Sequence, residues 1–211
     1  MASIKDIDAP SINYYDPTEE VRQLPLATYK AHISECTVRE RVVRTHFKAR
    51  IFNFSIEIAD NSGTEYEVKD ILGDTIKVDG KTFQGRQVRG NGVFYFLNPG
   101  PNDDFKANPS GNAKYLLVCQ ALGVECPKIE ISDGNGGKKL VTQLPELRES
   151  DFLDKPVLAT VGMSKEFLGK EGDMISLHEV KKIKKWADGK PKQINPDNIR
   201  EENESLSAIP E

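Results

Sequence analysis

Long apolar runs are missing from this 211-residue chain. No stretch approaches the roughly 18 apolar residues that a membrane helix needs, so no membrane partner is expected. Met1–Pro10 carries no apolar stretch after its charges and does not read as a secretory signal. Cysteine is scarce. Cys36, Cys119 and Cys126 are odd in number and lack metal-type spacing, which predicts reduced thiols in a cytoplasmic protein. Catalytic signatures are also missing: there is no GxxxxGK[ST] phosphate loop, no HExxH and no GxSxG elbow. Gly85–Gly90 reads GRQVRG, which is not a phosphate-binding fingerprint. Asp70, Asp74 and Asp79 are spaced loosely enough for a metal nuclease, but scattered turn aspartates are the commoner use of such residues. His32, His46 and His178 show no partnered nucleophile. The sequence therefore predicts no enzyme, no catalytic residue, no metal and no cofactor.

Hydrophobic residues make up 37% and charged residues 29%, leaner than an average globular chain yet well above a disordered one. One folded domain with polar extensions is expected. The net charge of –4 looks wrong for a nucleic-acid binder, but it averages over an asymmetry. Residues 1–28 sum to –3, residues 29–192 to +3 and residues 193–211 to –4. Basic residues cluster over Tyr29–Arg50 and Lys181–Lys192. The division is then an N-terminal arm (1–28), a basic body (29–192) and an acidic, disordered tail (193–211). Charge runs of this kind also serve as solvated faces.

The arm is punctuated by Pro10, Pro17 and Pro25. From Leu26 the pattern becomes that of a strand, continuing through Val43 as one long, bent element. Phe47–Ala59 places Phe52, Phe54, Ile56 and Ile58 on one face and polar residues on the other. Asp60–Gly63 is a turn signal, and Thr64–Ile71 reads as the third strand. Val78–Phe83 reads as a second hairpin, Val93–Leu97 as an aromatic strand and Asn98–Gly111 as loop. Asn112–Gly123 is the clear helix, with Gly123 suited to its C′ position. Ile129–Val141 reads as a hairpin around Asp133–Gly137, and Leu147–Leu153 as a short helix capped by Ser150. Pro156–Glu166 and Asp173–Trp186 read as two final strands around a turn at Gly169–Gly172.

Three strands, a helix and two more strands, decorated by hairpins, predict a mainly β chain. The matching arrangement is a five-stranded OB-fold barrel with one helix between strands 3 and 4. A sandwich of more strands is the structural alternative.

At family level, Tyr29–Cys36, the strand pair Phe52–Glu57 and Tyr66–Ile71, the helix Ala113–Gly123, and Asp154–Val157 leading to Leu177–Ile183 resemble bacteriophage single-stranded DNA-binding proteins of the OB class. The likeness covers roughly residues 29–186 and rests on element order. It implies an OB barrel that coats single strands during phage replication, with an acidic tail that contacts partner proteins and competes with DNA. Arg200–Glu211 fits that tail in charge, although the bacterial pattern ends in an aromatic residue and this chain ends in Glu211.

Single strands are held by cations along the phosphates and by rings stacked on bases. Arg39, Arg41, Arg44, Lys48 and Arg50 bracket the first turn, with Phe47 among them. Tyr66 and Lys69 lie on the third expected strand, Arg86, Arg89 and Tyr95 around a Gly-rich segment, and Lys184, Lys185 and Trp186 at the last strand's end. Phe52, Phe54 and Phe96 are assigned to the core by alternation. Phe47 and Tyr66 suit either role, and Trp186 is expected to be partly exposed. Arg39 and Arg41 are the strongest candidates, because residues two apart on a strand point the same way. Sequence-tolerant binding of single-stranded DNA is the leading expectation. The alternative is an OB module that recruits replication or recombination proteins.

Overall fold

The computed structural model describes residues 16–18, 23–132, 136–168 and 173–192. The expected disordered tail, most of the N-terminal arm and the turn over 169–172 lie outside the described residues. The fold is mainly β with one short α-helix. In chain order the elements are β1 (Thr28–Val43), β2 (Phe47–Ile58), β3 (Glu65–Lys69), β4 (Thr75–Asp79), β5 (Gln87–Arg89), β6 (Val93–Phe96), α1 (Ala113–Ala121), β7 (Lys128–Ser132), β8 (Lys138–Thr142), β9 (Pro156–Met163), β10 (Phe167–Leu168), β11 (Met174–Ile175) and β12 (His178–Lys185).

The central sheet runs β12–β9–β1–β2–β5, and β6 also pairs with β2. In β2 the period of two buries Phe52, Phe54, Ile56 and Ile58 and turns Ile51, Asn53, Ser55 and Glu57 outward. In β1 the parity changes midway. Tyr29, Ala31 and Ile33 face the core, then Cys36 and Val38 do. The register against β2 slips between Ile33 and Glu35, so Ser34 is the extra residue of a bulge. Without that slip, every side chain beyond it would sit on the wrong face. The slip sends Thr37, Arg39 and Arg41 outward, opposite Asn53, Ile51 and Ala49.

Tyr29, Phe52, Phe54, Ile56, Tyr115, Phe152 and Val157 build the core. Phe52 stacks on Phe152 at 5.1 Å. The two buried tyrosine hydroxyls of this core are satisfied: Tyr29 donates to the Pro25 carbonyl (2.8 Å) and Tyr115 to the Pro145 carbonyl (2.9 Å). α1 buries Tyr115, Val118, Cys119 and Ala121. It ends at Gly123 (φ +75°), whose amide bonds to Gln120 while that of Val124 bonds to Cys119, a Schellman closure.

Several expectations are corrected. The Thr64–Ile71 segment is not the sheet's third strand. β3 pairs with β4 in a separate hairpin, and β5 and β6 take the place beside β2. Val78–Phe83 is no hairpin: Val78 and Asp79 end β4, and the Asp79 carboxylate accepts from the Lys81 amide to cap a 3₁₀ turn over Gly80–Phe83. The short helix expected over 147–153 is a 3₁₀ turn, Glu149–Asp151. Its cap is the Asp151 carboxylate on the Arg148 amide rather than Ser150. The long last strand is split. Ser164 bonds to Leu177 in both directions there, separating β11 from β12.

The sheet is not closed into a barrel. Its open edges meet at one isolated parallel bridge, Gly90 with Val180. β5 is only three residues long, and the register of β12 slips between Val180 and Lys182, so no ladder extends from that bridge.

Candidate nucleic-acid interface

The outer surface of β1, β2, β5 and β6 carries a cleft of about 370 Å³. Its geometry follows from strand register. Arg39 pairs with Ile51, which pairs with Phe94. Arg41 pairs with Ala49, which pairs with Phe96. Arg89 pairs with Ser55 two rows beyond Ile51, past the row of Thr37 and Asn53. The strand β2 therefore forms a low floor between an arginine column on β1 and an aromatic column on β6. Neighbouring strands lie about 4.8 Å apart, so the two columns stand roughly 10 Å from each other at Cα level. Thr37 and Asn53 add polar groups to the lining. Gly92 keeps the floor open, since a Cβ there would lie 2.9 Å from Ile51 Cγ2 and 3.0 Å from Asn53 Oδ1.

The rings form a continuous ladder. Phe94 and Phe96 are nearly parallel with centroids 6.0 Å apart, Phe96 meets Phe47 edge-on at 6.0 Å, and Phe47 meets His46 at 6.4 Å. Phe96 is thus outward, not core. Gly111 leaves room for its ring, because a Cβ there would come within 2.6 Å of it.

The side chains of Arg39, Arg41 and Arg89 form no ion pair or hydrogen bond with the described residues. Lys48 and Arg50 differ. Alternation turns them to the opposite face, where Glu40 takes Lys48 at 3.2 Å and Arg50 at 3.0 Å, and Glu146 also pairs with Arg50. The Arg50 hydrogen bond, then that of Lys48, holds the Glu40 carboxyl below its usual range. Neither cation joins the cleft.

Other candidates scatter for identifiable reasons. Tyr66 is buried and stacks on Tyr29 at 4.8 Å, and burial pushes its phenol up, so it is a core residue. Tyr95 falls on the inner side of β6 and stacks on Tyr115 at 4.5 Å. Arg86 lies over the Phe83 ring at 5.2 Å. Lys69 sits on the β3–β4 hairpin and donates to Thr75 at 2.6 Å. Arg44 is exposed at the tip of the β1–β2 turn, where it and Thr45 have φ of +50° and +59°. Trp186 is half-buried away from the cleft. Its neighbours are Lys30, with Nζ 5.8 Å from the ring centroid, and His32 at 5.7 Å. Gly189 permits that placement, since a Cβ would lie 2.5 Å from the indole. Lys184 pairs with Leu158 and Lys185 with Val157 at the end of β12, the Lys185 side chain lying near Gly123 at the end of α1.

The cleft thus unites Arg39, Arg41 and Arg89, with Phe47 along the same ladder. Sequence reasoning missed Phe94, Phe96, Asn53 and Thr37. The parity of β6 carries the signal for the two phenylalanines: Val93 and Tyr95 face in, so Phe94 and Phe96 face out. Three guanidiniums without a partner among the described residues, beside half-buried rings, can hold a polyanion and stack planar groups. Comparison of the chain with family models, characterised proteins and solved structures gives no match. Among the described residues no helix is long and apolar enough to cross a membrane.

Proposed function

We propose that the chain is a non-catalytic, sequence-tolerant single-stranded DNA-binding protein that coats and protects single strands during phage DNA replication and recombination. The observation that carries this reading is the convergence of Arg39, Arg41 and Arg89, without carboxylate partners among the described residues, beside Phe94 on one open sheet face. Guanidiniums track phosphates without reading sequence, and rings stack on any base, so this chemistry is sequence-tolerant. The reading includes an OB arrangement. In support, β1 pairs with both β2 and β9, β9 pairs with β12, α1 lies between β6 and β9 in sequence, and the open edges meet in parallel at Gly90 and Val180. An OB barrel has that order. In this reading the acidic residues of 193–211 contact replication or recombination proteins in the host cytoplasm.

Titration of fluorescent oligo-dT at several salt concentrations tests it. On single strands each neutralised phosphate contributes a log–log slope of about –0.7, so three arginines contribute about –2. Salt-independent binding, or none at micromolar protein, would sink the proposal.

A second reading, a protein-interaction module, rests on a different surface. A groove of about 970 Å³ is lined by Leu26, Ile71, Met163 and Leu177, all substantially exposed. Arg39→Glu with Arg41→Glu separates the two readings: it abolishes DNA retention under the first and leaves partner capture intact under the second.

A further inference from the structure

Among the described residues nothing covers the hairpin of β7 and β8. Every residue of β7 is exposed, and in β8 only Val141 and Thr142 are partly shielded. The two strands pair with each other alone among the described residues. A two-stranded hairpin is marginal in water without a third strand or a packed face. Ile129, Ile131 and Val141 share one side of it, because Ile129 pairs with Val141 and Ile131 with Lys139.

The ladder shows which edge is available. Gln143 donates its amide to the Pro127 carbonyl at 2.8 Å. Antiparallel pairs alternate between hydrogen-bonded and non-bonded. Ile129–Val141 and Ile131–Lys139 are therefore the bonded pairs, and the N–H and C=O groups of Lys138, Leu140 and Thr142 point away from β7. We propose that this edge of β8 pairs antiparallel with β8 of a second copy of the chain, about a two-fold axis at Leu140.

Length and charge together select this register: Leu140 is the midpoint of β8, so an axis there pairs all five of its residues, whereas an axis at Val141 or Thr142 pairs fewer. With the axis at Leu140, Lys138 faces Thr142 of the second copy and Lys139 faces its Val141, so no like charges oppose. An axis at Lys138 sets lysine against lysine. The outer edge of β7 has its own midpoint at Glu130, which sets carboxylate against carboxylate. Pairing at Leu140 also sets Ile129 and Val141 of one copy in a row with Lys139 and Ile131 of the other, where the aliphatic stem of Lys139 continues the apolar face across four strands. The dimer carries two arginine clefts, so a long strand engaging both is held by more than either alone.

The interface is small and belongs to the transient class. Sedimentation equilibrium of the full chain is expected to show mass rising from 23.6 kDa toward the dimer as concentration increases. Leu140→Lys, which sets like charges against each other, is expected to abolish that rise with an unchanged melting curve. In a Cys126→Ser background, Leu140→Cys is expected to form a disulfide-linked dimer on mild oxidation, since paired Cα atoms about 5.5 Å apart suit a disulfide. Glu130→Cys is expected not to. A monomer at every concentration up to millimolar, association unaffected by Leu140→Lys, or equal cross-linking through Glu130→Cys overturns the proposal. So does a monomer whose hairpin amides shift only when oligo-dT is added, which would make this surface a nucleic-acid contact.

Discussion

Replacing Arg39, Arg41 and Arg89 together by alanine should remove the electrostatic part of binding and leave the fold intact. The three side chains are exposed and make no contact that stabilises the described structure. On single strands each phosphate contact contributes about 0.7 to the slope of log K against log salt. At about 0.1 M salt each contact then multiplies affinity by about five, and three contacts by about a hundredfold. The triple variant should bind oligo-dT about a hundredfold more weakly at that salt, with a slope shallower by about 2. The informative control is Lys48→Ala with Arg50→Ala. It removes two charges from the same pair of strands, but from the face where Glu40 and Glu146 already neutralise them. Its slope should match the unaltered chain. Fluorescence titration at four or five salt concentrations reads both variants. If the control flattens the slope as much as the triple variant does, charge count rather than placement sets affinity, and the cleft is not the site.

The other predictions concern stacking, the turn and the buried thiols. Phe94→Ala should weaken oligo-dT binding by about 1–3 kcal/mol at every salt concentration. Tyr95→Ala, which breaks the inward stack on Tyr115, should leave binding unchanged and lower the melting temperature; a calorimetric scan beside the titration separates these outcomes. Arg44→Asn with Thr45→Gly should stabilise the chain by about 1 kcal/mol in urea denaturation, because residues with positive φ prefer those types. A loss of stability would show that the turn is not strained. Burial pushes the Cys36 thiol up to about 12, with Glu149 adding to the effect, and burial followed by Cys126 does the same for Cys119. A raised folded value means the stabilisation is complete below the ordinary thiol pKa of 9.0 and is lost as pH rises from there toward about 12. Denaturation midpoints across that range should fall, and fall less in Cys36→Ser, if these thiols are buried as described.

Strong alternation made β1 and β2 readable as strands, and Gly123 marked the end of α1. The bulge at Ser34 left no local sign, because Ser34–Glu35 is as acceptable to a regular strand as to a slipped one. The sequence points to Thr64–Ile71 for the sheet's third position for a related reason. That segment alternates as well as a sheet strand does, whereas β5 has only three residues and falls below what periodicity detects. The site was legible in part by the same rule of two. Arg39 and Arg41 share a face whatever the register, and they do line one cleft. Lys48 and Arg50 share a face too, but which face depends on how β2 sits against the core, and there Glu40 waits on the facing strand. In β6 one residue of parity decides between Phe94 and Tyr95. Four consecutive large side chains, Val93–Phe96, leave that parity undetermined without the pairing to β2.

The most direct test follows the backbone amides of the isotopically labelled chain by NMR while oligo-dT is added. The account predicts shifts concentrated in residues 37–41, 47–53 and 89–96, with the β3–β4 hairpin and the groove of Leu26 and Leu177 unmoved. Shifts centred on that hairpin or on the Leu26–Leu177 groove, or none at saturating oligonucleotide, would contradict it.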